Sequence, residues 1–324
     1  MLNSGFRFQI IEEEFGTKTL YKLYDSDTGE FVSVLPYLGG SINQMALKYG
    51  DNLVKILDGY HSEQDAEKNL NTSFKGSNLL PYPNRIADGK YSFRDQWYQF
   101  PVNFKDENNA IHGFLFNQEL KIIDQEDGEI GCMLIMEHEA EESEGYPFKY
   151  HFKVTYKLSE EKGFECKVKF TNLMDQSIPV GHGWHPYFCM GESAVNDLHL
   201  QFKPKHSLVV DKRSIPTGKT EPYSKFNSLS LIGDTVLDTC FVLPEEVNPA
   251  EITIMDKSRK FGYTIWQETG VSKYNFLQIY TPPHRKSIAI EPMTCAPNAF
   301  NNQMGLIILA PQEVMSASFG IRKI

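Results

Sequence analysis

The sequence has few cysteines and lacks both a signal segment and a long apolar run. Its five cysteines are odd in number, and no two form a C-x-x-C pair. In a chain of 324 residues this pattern favours free thiols in a reducing compartment over a disulfide framework. The N-terminal residues show no charged-then-apolar signal pattern, and no stretch approaches the roughly 18 apolar residues of a membrane span. We therefore predict a cytoplasmic protein with no membrane partner.

Cofactor motifs and an excess of positive charge are also missing. The chain contains no G-x-x-x-x-G-K-[ST], no G-x-G-x-x-G and no G-x-S-x-G motif, so it lacks the usual sequence signs of phosphate cradles, dinucleotide sites and nucleophile elbows. A formal net charge of -10 argues against nucleic acid as a partner. His182 and His185 are three residues apart, which in a strand places them on opposite faces and argues against a shared metal. We predict no cofactor and no metal.

Period-2 alternation of apolar and polar residues dominates the chain. It is clearest at Tyr150–Leu158 and Phe164–Phe170, joined by a predicted hairpin loop at 159–163. A short polar segment at 61–69 is the best helix candidate, and the acidic stretch 137–145 is predicted to be a solvated loop. Many short strands separated by turns predict an all-β fold, a large antiparallel sandwich, and we expect residues 1–324 to form a single domain. The further predicted strands are 6–11, 42–48, 132–138, 198–202, 251–255, 261–266, 276–280 and 313–321.

Two polar side chains follow strand-like runs and are each followed directly by proline. Glu291 ends the run Ser287–Glu291, and His185 ends Gly183–His185. A residue before proline is restricted to extended geometry, so each side chain is expected to leave its strand end at a fixed angle. A carboxylate and an imidazole held this way can perform general acid–base chemistry. The alternative for Glu291 is an exposed glutamate at a strand end.

The neighbouring strand favours a sugar as ligand. Alternation places Phe276, Gln278 and Tyr280 on one face. An amide between two aromatic rings suits a molecule with hydroxyls on its rim and C–H groups on its faces. A partly buried strand with a hydrogen-bonded glutamine would show the same pattern.

Three other residues stand out, each with a structural alternative. Arg85 lies in the proline-rich segment 78–86 and is a forked donor for ligand oxygens or a partner in a salt bridge. Asp238 lies inside an apolar run, so it is either bonded to backbone donors or available to a ligand. His112 precedes Gly113 and is either a site residue or a turn histidine.

Taken together and in order, these segments resemble the aldose 1-epimerase family, the galactose mutarotases and their relatives. The matching segments, which span most of the chain, are Asn84-Arg85, Ile111-His112-Gly113, His185-Pro186-Tyr187-Phe188, Asp238, Leu277-Gln278-Ile279-Tyr280-Thr281, and Glu291 to Asn301.

The resemblance implies a β-sandwich of the galactose mutarotase type with an open sugar cleft, and it implies a role for each residue. Glu291 would be the general base at the C1 hydroxyl, and His185 the general acid at the ring oxygen. His112 would hydrogen-bond near the ring oxygen. The sugar hydroxyls would be held by Asn84, Arg85, Asp238 and Gln278.

Two positions depart from the family pattern and leave the sugar open. Trp184 stands where galactose-specific members usually carry asparagine, and Phe114 stands where a second glycine is usual. Three other functions also stay open: a carbohydrate-binding or sensor protein, a glycoside hydrolase or lyase that uses Glu291 with Asp238 as its carboxylate pair, and a hexose-phosphate 1-epimerase. The expected partner is a small sugar, and the expected assembly is a monomer or a homodimer.

Overall fold

Antiparallel strands account for most of the computed structural model, which describes residues 5–324; the sequence expectation for residues 1–4 lies outside that range. In chain order the strands are β1 (Phe8–Phe15), β2 (Lys18–Asp25), β3 (Phe31–Leu35), β4 (Ser41–Tyr49), β5 (Asn52–Leu57), β6 (Ser77–Leu79), β7 (Arg85–Ala87), β8 (Lys90–Phe93), β9 (Gln96–Gln99), β10 (Asn109–Ile111), β11 (Lys121–Glu126), β12 (Gly131–Ala140), β13 (Tyr150–Ser159), β14 (Gly163–Asn172), β15 (Ile178–Val180), β16 (Gly183–His185), β17 (Tyr187–Phe188), β18 (His199–Gln201), β19 (His206–Val210), β20 (Pro216–Glu221), β21 (Ser230–Leu231), β22 (Asp238–Val242), β23 (Ala250–Asp256), β24 (Phe261–Gln267), β25 (Phe276–Tyr280), β26 (Ile288–Met293), β27 (Ile307–Leu309) and β28 (Val314–Lys323).

Helices contribute little to the described residues. They are α1 (Glu63–Ser73), α2 (Ala299–Asn302) and single 3₁₀ turns at Lys105–Glu107, Leu115–Asn117 and Val195–Asp197. Across residues 5–324, no helix has the length and apolar character needed to cross a lipid bilayer.

Two large antiparallel sheets form the body of the molecule. The first has 13 strands, which run β1-β2-β3-β4-β5-β17-β26-β25-β22-β19-β20, with β16 joined to β26 and to β6. The second has nine strands in the order β11-β12-β13-β14-β28-β24-β23-β18-β21. Their apolar faces share one core, where Trp184 of the first sheet stacks on Phe319 of the second with ring centroids 4.7 Å apart. The predicted all-β fold with large antiparallel sheets is confirmed.

The alternating segments became strands because one face of each could be buried. In β13, Tyr150, Phe152, Val154 and Tyr156 are all at most 3% exposed, and β14 pairs with β13 along its whole length. The predicted strand 276–280 is confirmed at both ends. The predicted hairpin loop at 159–163 is shorter in the structure, since residues 159 and 163 already pair as the last rung of the ladder.

Two predicted boundaries were wrong for identifiable reasons. The expected loop 137–145 begins too early, because β12 continues to Ala140 and pairs with β13 as far as Tyr150. The expected helix 61–69 instead spans Glu63–Ser73. The Ser62 side chain caps the N-terminus of this helix by accepting a hydrogen bond from the Asp65 N–H. The helix ends at Phe74, whose backbone is in the left-handed conformation.

The stack of Trp184 on Phe319 gives a test of this core. Trp184 is completely buried, and its indole N–H donates to the Gly76 carbonyl oxygen at 3.1 Å. We expect Trp184→Ala to lower the free energy of unfolding by about 3–5 kcal/mol through lost packing, measured by denaturant titration. Trp97, which is 76% exposed, is the matched control, and Trp97→Ala should change stability by less than about 0.5 kcal/mol. Equal effects of the two changes would contradict this description of the core.

Candidate active site

One cavity of about 300 Å³ collects the seven residues to which the family resemblance assigns a role. A volume at the lower end of known ligand pockets suits a small molecule. The predicted residues in its wall are Asn84, Arg85, His112, His185, Asp238, Gln278 and Glu291. The remaining wall residues are Thr72, Phe74, Phe104, Glu107, Ile111, Tyr187 and Tyr280.

The first sheet places the polar groups because three of its neighbouring strands run side by side. β26 pairs with β25, which sets Glu291 directly opposite Gln278. β25 pairs with β22, which sets Tyr280 opposite Asp238. On the other side of β26 lie β16 and β17, and His185 ends β16. Strand pairing thus brings together residues that are separated by more than a hundred positions in the chain.

His185 and Glu291 form the deepest polar pair in the cavity. The His185 Nε2 and Glu291 Oε1 atoms are 3.6 Å apart, and the residues are 7% and 2% exposed. Among the described residues, neither Glu291 Oε2 nor His185 Nδ1 has a hydrogen-bond partner. The alternative of an exposed strand-end glutamate is therefore wrong, and both of these unpartnered atoms are buried.

Burial shifts the two pKa values in opposite directions. Desolvation raises the pKa of Glu291 well above its ordinary value, reinforced by the charge of Asp238 and opposed by that of Arg85. Desolvation lowers the pKa of His185 to about 4. Both shifts favour the neutral forms, so between the two shifted pKa values the pair holds one proton, preferentially on the carboxyl group.

His112 sits in a turn and in the site at once. Its backbone is left-handed, with φ of 68°, and its ring lies 5.1 Å from that of His185 and 4.6 Å from that of Phe74. Its Nδ1 accepts the backbone N–H of Asn84 at 3.3 Å. Burial lowers its pKa well below the ordinary value, so the ring is neutral and carries its proton on Nε2. His112 is thus a hydrogen-bond donor at neutral pH.

Arg85 is both a salt-bridge partner and a wall residue of the cavity. Its Nε donates to Glu107 Oε2 at 2.8 Å, and its Nη1 donates to Asn84 Oδ1 at 3.3 Å. Asn84 Oδ1 also accepts the backbone N–H of Arg85. These bonds fix the guanidinium group, and among the described residues Nη2 has no partner at hydrogen-bond distance, so that edge is available to ligand oxygens.

Of the two alternatives for Asp238, bonding to backbone donors is wrong, and the placement of Phe276 beside the ligand was also wrong. Asp238 is an exposed residue at the start of β22 and lies in the cavity wall, where its Oδ1 accepts Gln278 Nε2 at 2.6 Å. Val236, two residues earlier, is 79% exposed, whereas Leu237, Cys240 and Phe241 are buried, so the apolar run is buried only in part. Phe276 does not line the cavity: it packs with Cys240 and other apolar residues, because the chain at 305 covers its ring.

Several wall residues were missed by the sequence reasoning. Tyr187 follows His185 by two positions, and alternation would have placed both on one face. Phe74 and Phe104 had no such signal, since one follows a helix and the other lies in a loop. In the sequence, Glu107 is one of several acids in a polar stretch, and only the fold places it beside Arg85.

The departure at Trp184 does not alter the cavity wall directly. Its side chain is buried between the sheets, whereas the next residue, His185, faces the cavity. Phe114 packs against Phe100, with ring centroids 5.7 Å apart, and is likewise absent from the wall. Within residues 5–324, no three His, Cys, Asp or Glu side chains are grouped closely enough to hold a metal ion.

Comparison with known sequences identifies a protein family and related proteins. The sequence profile of the family described as Aldose 1-epimerase matches residues 22–322. The uncharacterized protein YihR of Escherichia coli K12 is 28% identical over 256 residues, which cover 76% of this chain and 80% of that protein. Mouse galactose mutarotase is 28% identical over 142 residues, which cover 43% of this chain and 40% of that protein.

Solved structures share the fold over almost the whole chain. A galactose mutarotase-like protein from Clostridium acetobutylicum has a TM-score of 0.85 at 21% identity, covering 98% of this chain and 99% of that chain. Galactose 1-epimerase from Lactobacillus acidophilus NCFM has a TM-score of 0.79 at 18% identity, covering 99% of each chain. At these identities the likeness establishes the fold.

The turn at His112 and Gly113 gives a test of how the site is held. Gly113 has φ of +65°, and a Cβ atom there would lie 1.9 Å from the Leu80 carbonyl oxygen. We expect Gly113→Ala to displace His112 and to lower stability by clearly more than the roughly 1–2 kcal/mol of a left-handed alanine. Gly218, with φ of +84° and no atom within 4 Å of such a Cβ, is the control for conformation alone. Equal losses in the two alanine variants, measured by denaturant unfolding, would show that the close approach is not a constraint.

Proposed function

The chain belongs to the aldose 1-epimerase family, and from this premise we propose that it interconverts the α and β anomers of a free hexose. The reaction is ring opening and closure by general acid–base catalysis. The observation that carries the proposal is the buried His185–Glu291 pair at the bottom of a cavity of monosaccharide size. We also propose that residues 1–324 act as one domain, since strands from distant parts of the chain build the cavity.

In ring opening, Glu291 takes the proton of the C1 hydroxyl while His185 gives a proton to the ring oxygen. The C1–O1 bond becomes a carbonyl as the bond between C1 and the ring oxygen breaks. Rotation about C1–C2 then presents the other face of the aldehyde. In ring closure the ring-forming hydroxyl attacks C1, its proton returns to His185, and Glu291 returns a proton to O1. No proton is gained or lost over the cycle.

The shifted pKa values fit this cycle because ring opening and ring closure both start with one proton on the His185–Glu291 pair. Ring opening uses an ionised Glu291 and a protonated His185, and ring closure uses a protonated Glu291 and a neutral His185. Each state carries one proton on the pair, and the two differ only in which side chain holds it. Burial favours the neutral arrangement, so the ionised one is a minor form that a sugar between the two groups would stabilise through its hydroxyls.

The other wall residues supply binding and orientation. Arg85, Asn84, Asp238 and Gln278 hold sugar hydroxyls through a mixture of donors and acceptors. The neutral His112 donates a hydrogen bond near the ring oxygen. The rings of Phe74, Phe104, Tyr187 and Tyr280 offer apolar faces to the C–H side of a pyranose.

The principal alternative is a sugar-binding protein without catalysis. It would use the same hydroxyl contacts but would have no need for a buried imidazole beside a buried carboxyl group, which is costly to keep without a ligand role. Acceleration of anomer exchange separates the two functions directly.

We expect Glu291→Gln and His185→Asn each to lower kcat/KM for mutarotation by about 10²- to 10⁴-fold, the usual value of a positioned acid or base. The measurement is polarimetry on freshly dissolved α-D-glucose and α-D-galactose. The controls are the exposed residues Glu161 and His61, and Glu161→Gln and His61→Asn should leave the rate unchanged. Full activity in either site variant would overturn the role given to that residue.

We expect kcat/KM to follow a bell-shaped pH profile, because only the pair with one proton is competent. On the acid side, activity falls when His185 is protonated while Glu291 is still protonated, so that the pair carries two protons. Burial lowers the pKa of His185 for this step to about 4. On the basic side it falls as Glu291 loses the remaining proton, at a pKa raised above the ordinary glutamate value. The limbs report pKa values of the pair in the free enzyme. A rate that rises with pH and never falls would show that no acid is needed.

A further inference from the structure

The charges in the cavity wall are unequal. Among the described residues that form it, Arg85 is the one permanent cation, and it faces the carboxyl groups of Glu107, Asp238 and Glu291. Burial raises the pKa of Glu291 and so favours its neutral form. The net charge of the cavity wall therefore depends on whether the charge of Arg85 is free to act on a ligand or is already neutralised by a carboxylate.

Glu107 neutralises Arg85 within the wall. The Glu107 Oε2 atom accepts Arg85 Nε at 2.8 Å and Asn109 Nδ2 at 3.1 Å. The Glu107 side chain is 23% exposed and the Arg85 side chain 16% exposed, so water screens this ion pair only partly. No residue in the described part of the chain bonds to the second oxygen of Glu107, so this atom is available as a further acceptor.

A nearby second cation does not change this balance. Arg213 donates its Nε to the backbone oxygen of Glu107 at 2.8 Å. Its Nη2 donates to Asp88 Oδ1 at 2.8 Å and to Asn109 Oδ1 at 3.0 Å. Arg213 is therefore paired with Asp88 outside the cavity wall, and it fixes the backbone that carries Glu107.

With Arg85 neutralised, Asp238 leaves the cavity with net negative charge. We propose that Glu107 is a specificity-determining residue: it sets the cavity against anionic aldoses and in favour of neutral aldoses and aldoses that carry an ammonium group. This inference rests on the proposed function in so far as the ligand is an aldose. A negative group brought within several ångströms of these carboxylates is repelled, and an ammonium group is attracted, in a site of reduced dielectric.

The test compares three sugars of one skeleton with three proteins. The sugars are D-glucose, its 2-amino derivative at a pH where the amine is protonated, and its 6-phosphate, with the D-galactose series in parallel. The proteins are the wild type, Glu107→Gln and Asp106→Asn. Asp106 is the neighbouring acid, but it is exposed and absent from the cavity wall, so its variant makes the same change in net charge elsewhere. Binding is measured by calorimetric titration and mutarotation by polarimetry.

We expect the wild type to bind the phosphorylated sugar at least about tenfold more weakly than the neutral one, and the amino sugar at least as well as the neutral one. Glu107→Gln should strengthen binding of the phosphorylated sugar by roughly tenfold, weaken that of the amino sugar, and change that of the neutral sugar by less than about threefold. Asp106→Asn should change none of them. The difference in wild-type affinity between the neutral and the phosphorylated sugar should become smaller as ionic strength rises.

Two results would overturn the inference. One is a wild type that binds the phosphorylated sugar as well as the neutral sugar. The other is an equal change for all three sugars in Glu107→Gln, which would mean that Glu107 only holds Arg85 in position. If the charge order is found in binding but no sugar shows faster anomer exchange, this inference stands and the proposed catalytic function fails.

Discussion

The Glu291 carboxyl group lies 3.6 Å from the His185 ring, and both side chains are almost entirely buried. Burial of ionisable groups favours their neutral forms, and this constraint governs the chemistry of the whole cavity. It leaves one proton on the pair over the range between the two shifted pKa values. A reversible ring opening that takes a proton at one oxygen and delivers one at another needs that proton count in both directions.

The scaffold holds this pair by strand pairing instead of by flexible loops. β26 carries Glu291. Its neighbour β25 carries Gln278, and its other neighbour β16 ends at His185. His112 reaches the same place through a left-handed turn whose glycine passes close to the Leu80 carbonyl group. Rigid placement of this kind lowers the cost of orienting a small, polar substrate. The Arg85 guanidinium group in the wall is fixed by Asn84 and Glu107 in the same manner.

Much of the fold could be predicted from the sequence, because alternation in segments such as Tyr150–Leu158 reports directly which face is buried. The seven predicted site residues share one cavity: Gln278 and Glu291 lie within paired strands, and the other five lie at strand ends or in turns. Contacts between distant segments could not be predicted. Phe74 and Phe104 join the wall only through the fold, and Glu107 acquires its meaning from a salt bridge across 22 positions. Phe276 was misplaced because alternation along a strand says nothing about which part of its face another segment covers.

The central claim, that the buried pair carries out anomer exchange, is tested most directly by NMR exchange spectroscopy on an aldose at anomeric equilibrium. The exchange rate between the α and β signals of D-glucose and D-galactose would be measured against the concentration of wild-type protein and of Glu291→Gln. The structure predicts an exchange rate that rises in proportion to wild-type protein and stays at the uncatalysed value with the variant. Exchange that stays at the uncatalysed rate with wild-type protein, while the sugar signals still show binding, would contradict catalysis and leave a sugar-binding protein.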